Sequence, residues 1–172
     1  QDQLRDEKKP EDLKLNLDSL ATDLGVSVPS ILPDSPLYPL KEIVRIVELV
    51  VTTDPISRAD ALLEQDNQKT VEAAKLIENS QSTESVNLAL ETLNSVSDDF
   101  NKLKAHTDEV VKLSQTEGEK VDQLVSAIID NGLARQTVFS EIENNVHGDT
   151  YVAVEEVRTE VLTNGIDALL AL

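Results

Sequence analysis

The sequence predicts an all-α fold: an antiparallel bundle of four to five long helices, led into by a proline-rich segment. Three observations carry this. All six prolines lie at or before Pro55 and only five glycines occur in 172 residues. The chain after Ile56 therefore lacks the turn chemistry that short strands need about every 8–12 residues. Hydrophobic residues make up 40% of the chain but aromatics only 2%, so the core must be thin aliphatic layers, which suits helix packing. Finally, Val86, Ala89, Leu93, Val96, Phe100, Leu103, Thr107 and Val110 recur at alternating steps of three and four residues, a sustained heptad seam.

Taken in order, residues 1–30 read as an N-terminal arm and linker. The first ten residues are polar and charged. A short helix at 11–24 is suggested by Leu13, Leu17, Leu20 and Leu24, with Gly25 as a natural stop. The bundle domain is expected over 31–172. It opens on Pro33-Asp34-Ser35-Pro36, where Asp34 or Ser35 can cap a helix with Pro36 in its first turn. That helix, about 36–52, carries Lys41, Arg45, Glu48 and Thr52 in one narrow stripe. Aliphatic residues from Ile43 to Val51 cover the rest of its girth, so it is expected at the centre of the bundle.

Asp54-Pro55 restarts the chain, with an N-cap Asp and Pro at the first helical position. The helix of about 55–79 has the stripe Ile56, Ala59, Leu63, Asp66/Asn67, Thr70, Ala74 and Ile77. Its polar middle means either solvent exposure or a polar layer in the core. Ser80 to Thr83 is a turn and cap before the seam helix of about 83–115, roughly 50 Å long. Gly118 breaks the chain. The helix of about 119–147 keeps the phase Val121, Val125, Ile128, Gly132, Arg135, Phe139, Ile142 and Val146. Asn131-Gly132 is a weak point inside it. After His147-Gly148-Asp149, a last helix of about 150–170 uses Val154, Val157, Val161, Ile166 and Leu169/Leu170, with Asn164-Gly165 as a second weak point. Short connections imply antiparallel neighbours.

The net charge is −18, and most of the acids lie after Thr52. Such a surface repels phosphate backbones and anionic bilayers, so no nucleic-acid partner is expected. No apolar run reaches the length of a membrane span, so no membrane insertion is expected within the chain. Cysteine and methionine are both absent. The first removes disulfides, thiolate nucleophiles and Cys-type zinc sites. The second means Gln1 is not a translation start, so a processed N-terminus or a cut fragment is expected.

Leu32-Pro33-Asp34-Ser35-Pro36-Leu37-Tyr38-Pro39-Leu40-Lys41 resembles the hallmark of a bacterial helical family known only as domain of unknown function 5667. In that family a Leu-Pro-(Asp/Gly)-Ser-Pro-Leu-Tyr-x-Leu-Lys segment starts a helix. Asp54-Pro55 and Arg58-Ala59 then resemble the opening of its second helix. The resemblance covers about residues 31–79. It implies a helical fold and an extracytoplasmic location, secreted or in the cell envelope, and supplies no catalytic or ligand residues. Where relatives carry a basic, Leu-rich second half, this chain has Gln65-Asp66-Asn67-Gln68-Lys69-Thr70.

Within the motif, Pro33, Asp34, Ser35, Pro36, Tyr38, Pro39 and Lys41 are read as structural, with Tyr38 anchoring the proline turn and its hydroxyl hydrogen-bonded. A polar layer is expected around Asp66, Thr107 and Arg135, with an Arg135–Asp66 ion pair explaining two polar core positions. His106, Glu143, His147 and Asp149 are the only weak candidates for metal ligands. Glu143 and His147 share a helix face, but two ligands at one helix end do not make a transition-metal site. No metal site is therefore assigned, although weak divalent-cation binding by the acidic clusters is considered. No EF-hand loop, phosphate loop or nucleophile elbow occurs. The expectation is no enzyme and no cofactor. It is a non-catalytic extracytoplasmic module for spacing, assembly or docking, with a protein partner or self-association. The alternative is a ligand- or cation-binding bundle.

Overall fold

The computed structural model describes residues 14–79 and 82–172. The expected frayed arm, the start of the 11–24 helix, and Ser80-Gln81 lie outside the described residues. Among the described residues five helices follow one another: α1 Leu17–Asp23, α2 Tyr38–Val51, α3 Pro55–Asn79, α4 Thr83–Asn145 and α5 Asp149–Ala171. The fold is an all-α bundle, as the composition and seams predict.

α4 is two helices in one. Its backbone leaves helical geometry at Glu117 (φ −131°, ψ 37°), one residue before the glycine that marks the break in the sequence. The chain doubles back there. The Arg135 guanidinium lies 4.7 Å from the centre of the Phe100 ring, although a straight helix would separate these residues by about 50 Å. A rising arm (83–116) and a returning arm (118–145) thus form a hairpin, and both seams close on each other. Leu93, Val96, Phe100, Leu103 and Val110 are buried from one arm, and Val121, Ile128, Phe139 and Ile142 from the other.

α3 and α5 each pack on α4 and not on one another. The Lys69–Asp99 ion pair (2.5 Å) joins α3 to the rising arm. Arg158 joins α5 to the returning arm through Glu143 (2.7 Å) and Gln136 (2.6 Å). Two caps follow the sequence. Asp54 Oδ2 accepts from the Ser57 backbone N–H (2.7 Å) and hydroxyl (2.6 Å), and Ser82 Oγ accepts from the Ser85 N–H. Gly25 (φ +69°) ends α1 and Gly148 (φ +59°) precedes α5, both in backbone that L side chains resist. α4 and α5 run unbroken through Asn131-Gly132 and Asn164-Gly165.

Four expectations are corrected. First, the described part of the segment read as arm and linker, residues 14–30, packs onto the bundle: Leu15, Leu17, Leu20, Ala21 and Leu24 are in the core. Its loop is strapped to α3 by Asn67 on the Leu24 carbonyl (2.9 Å) and Lys75 on the Pro29 carbonyl (2.7 Å). Second, neither Asp34 nor Ser35 caps α2. The proline segment spends its polar groups on turns (Ser35 N–H to Leu32 O, Tyr38 N–H to Ser35 O), so the helix starts at Tyr38 with Pro39 in its first turn. Third, Ile166 is 47% exposed whereas Ala168 is fully buried. The five-residue step from Val161 to Ile166 breaks the helical period, and the seam instead runs through Asn164 and Gly165. Asn164 bonds Ser97 Oγ (2.6 Å) and Gly165 lies under the Phe100 ring.

The fourth correction is the largest. The apolar helix expected at the centre is peripheral, and the helix with the polar stripe is central. Among the helices α2 packs only on α3, and its one buried residue is Arg45. Leu40, Ile43, Val44, Ile46, Val47, Val50 and Val51 are each at least half exposed. The reason lies in α3, whose outer face at Gln65, Gln68 and Glu72 is polar. Only the charged stripe of α2 can satisfy that face, because an aliphatic stripe would leave a buried carboxylate without a partner.

Candidate functional site

Glu72 is the centre of the α2–α3 junction. It is 0% exposed and sits where α3 passes under the start of α2. Two motif residues and Arg45 converge on its carboxylate. Tyr38 donates its hydroxyl to Oε2 (2.8 Å), Lys41 reaches Oε1 (2.5 Å), and Arg45 Nη2 reaches Oε1 (2.7 Å). Arg45 also donates to Tyr38 Oη (3.2 Å), Gln68 (3.3 Å) and Glu42 (2.5 Å). Lys41 additionally bonds the Ile31 carbonyl (3.3 Å). One turn further on, Gln65 donates to the Arg45 carbonyl (3.2 Å) and to Glu48 (3.0 Å). Burial, and then the Glu72 carboxylate, drive the Tyr38 hydroxyl far above its ordinary range, so it stays a neutral donor. Arg45 loses by desolvation but gains more from Glu72, and its net shift is upward. The cluster is thus a charge-assisted clamp whose outer side is an uncovered aliphatic face.

Among the other motif residues, Asp34, Pro36 and Pro39 are exposed, and Pro33 and Ser35 half-buried. Sequence reading singled out Tyr38 and Lys41 but missed Glu72, Gln65 and Gln68. A signal was present. Tyr38, Lys41, Arg45 and Glu48 step by 3-4-3, and Gln65, Gln68 and Glu72 step by 3-4, so two polar stripes of matching period face each other.

The expected polar layer exists in altered form. Asp66 and Arg135 are both 1% exposed, but no ion pair joins them among the described residues. Arg135 donates Nε to Asn67 Oδ1 (3.1 Å) and lies over Phe100. Desolvation lowers its pKa, with Asp66 opposing. Burial pushes Asp66 well above its ordinary value of 3.8; Arg135 opposes this, and Asp99, in hydrogen-bonding reach, adds to it. Burial also raises Asp99, but Lys69 and the Lys102 hydrogen bond outweigh that and hold it low. The reason is one of partition: both lysines serve Asp99, and Arg135 is turned to an amide and a ring. Thr107 does not join this layer. It lies two turns from Phe100, with its hydroxyl on the Lys104 carbonyl (2.8 Å).

The weak metal candidates do not converge. His106 is half-buried beside Glu109 (3.7 Å), Glu143 is engaged by Arg158, and His147 and Asp149 are exposed. Among the described residues no group of three His, Cys, Asp or Glu side chains could hold a metal ion. No helix among them is long and apolar enough to cross a membrane.

A family model, Domain of unknown function (DUF5667), matches residues 30–149. The chain belongs to this family. The DUF5667 match runs well past the 31–79 stretch that carried the resemblance and takes in α2, α3 and both arms of α4, so the clamp and the hairpin both lie within it. α1 and most of α5 lie outside. No curated protein and no solved structure matches the chain.

Proposed function

We propose that this DUF5667 chain is a non-catalytic docking module of the bacterial cell envelope. On this reading its α2 face receives a basic, amphipathic segment of another protein. One observation carries it: α2 spends its polar stripe on Glu72 and turns its aliphatic stripe to solvent. Contiguous exposed apolar surface of this kind marks interaction sites, and a helix face with anchors at i, i+3 and i+7 suits helix-against-helix recognition. Charge selects the occupant. At −18 per chain, a second copy or an anionic bilayer is repelled, whereas a segment with Lys and Arg flanking Leu is attracted. Extracytoplasmic placement rests on the family resemblance. The non-catalytic role rests on the lack of nucleophile and phosphate-loop motifs.

The test uses a fluorescent Leu/Lys amphipathic peptide, its Leu/Glu counterpart, and the triple variant Val44→Ser, Val47→Ser, Val51→Ser, which keeps the charge unchanged. Expected is binding of the Leu/Lys peptide alone, weakened at least about tenfold in the variant. Equal binding to parent and variant would show mere charge attraction and sink the proposal. So would dimerisation through α2 in light scattering, or capture by anionic vesicles that the variant abolishes.

A further inference from the structure

Between the returning arm of α4 and α5 lies a cavity of about 150 Å³. Two helix-interior glycines open it, Gly132 from α4 and Gly165 from α5. Neither has positive φ and neither breaks its helix, so turn geometry does not explain them. A Cβ placed on Gly132 would meet nothing within 4 Å, and one on Gly165 would meet only the Phe100 ring, at 3.7 Å. What the glycines make is space. The walls are aliphatic, and Leu133 and Leu162 at the rim are 67% and 44% exposed, so the cavity is open to solvent. Two lining residues are polar, Gln136 and Arg135, and the Gln136 side-chain carbonyl is taken up by Arg158 (2.6 Å). Arg135 is 1% exposed, and its Nη2 is buried with no hydrogen-bond partner. Asp66, the carboxyl that acts on it electrostatically, is on α3 and makes no ion pair with it.

A buried guanidinium with a spare N–H, at the floor of an aliphatic cavity, is complementary to one kind of small molecule. The geometry points to a binding site for a small monocarboxylate with an apolar body, its carboxylate on the Arg135 guanidinium and its body between Gly132 and Gly165. The size limits the class. Pockets for drug-sized ligands run to about 300 Å³ and above, whereas a cavity of about 150 Å³ holds a benzene-sized group. Acids of about six or seven carbons fit. This site is independent of the α2 face, so either can fail alone.

Benzoate and hexanoate are the probes, with benzyl alcohol and benzylamine as neutral and cationic counterparts, read by ¹H–¹⁵N chemical-shift titration of the whole chain. Expected is saturable binding of at least one acid, with the largest shifts at Gly132, Leu133, Leu162 and Gly165. Arg135→Gln should weaken it at least about tenfold, the scale of a lost charge-assisted bond. Gly132→Leu, which builds into open space, should abolish it while the remaining spectrum stays folded. The acids distinguish an aromatic from an aliphatic body. No saturable shift with either acid overturns the proposal. So does benzyl alcohol binding as tightly as benzoate, or undiminished binding to Gly132→Leu.

Discussion

A single carboxylate holds two motif side chains and Arg45 at once, and the consequence of removing it is specific. Glu72 is fully buried against Lys41 and Arg45, and deleting one partner of a buried ion pair costs about 3–5 kcal/mol. The aliphatic side chains of α2 are exposed apart from half-buried Leu49 and offer little to compensate, so the loss should be local. Glu72→Gln is expected to free α2 while the hairpin stays folded. Hydrogen exchange would then show lost protection at 38–51 and retained protection at 93–110, and unchanged protection of α2 would refute the clamp. Asp66 titrates in the opposite sense to most acids. Because its folded pKa is raised, the native state binds more protons than the unfolded chain above pH 3.8, so its contribution to stability falls as pH climbs through that window. Asp99, held low, contributes stability that is lost as pH falls. Lys69, Lys102 and Arg135 are the charges facing the pair. Asp66→Asn should therefore gain on the parent progressively as pH rises above 3.8, by about 1–3 kcal/mol once the parent carboxyl ionises, measured as melting midpoint against pH.

At the scale of the element, two glycines of the same chain should respond oppositely to one methyl group. Gly132 sits in an unbroken helix beside open space. Gly132→Ala should stabilise by about 1 kcal/mol, a rise of about 2–4 °C in a chain of this size. Gly148, at φ +59° and ψ −133°, holds the turn between α4 and α5, and Gly148→Ala should destabilise by about 1–3 kcal/mol. Thermal melts of the two variants decide it. α2 shows how an element can be read correctly and oriented wrongly. Its charged stripe was legible from the spacing of Lys41, Arg45 and Glu48. Its direction was not, because that depends on which face of α3 is offered to it.

For the whole molecule, charge is the dominant collective term. A net charge of −18 opposes compaction through self-repulsion, and ions screen it over about 8 Å at 0.15 M. Raising salt from about 10 mM to about 150 mM should lift the melting midpoint by a few degrees. A flat or falling midpoint would mean that the ion pairs around Glu72 and Asp99, which salt weakens, outweigh the repulsion.

The sequence by itself determined the class, the helices and most of the seams. Val86 to Val110 and Val121 to Val146 announce two facing stripes, and Asp54, Ser82, Gly25 and Gly148 mark boundaries. These are local properties: periodicity and caps act over four to seven residues and need no knowledge of the partner. Tertiary structure alone decided which helix is central, where Glu72 finds its cations, why Arg135 bonds Asn67 rather than Asp66, and that Gly132 and Gly165, 33 residues apart, share one cavity. Those are matters of satisfying buried charge and filling space between distant segments, and no local pattern encodes which distant groups will meet.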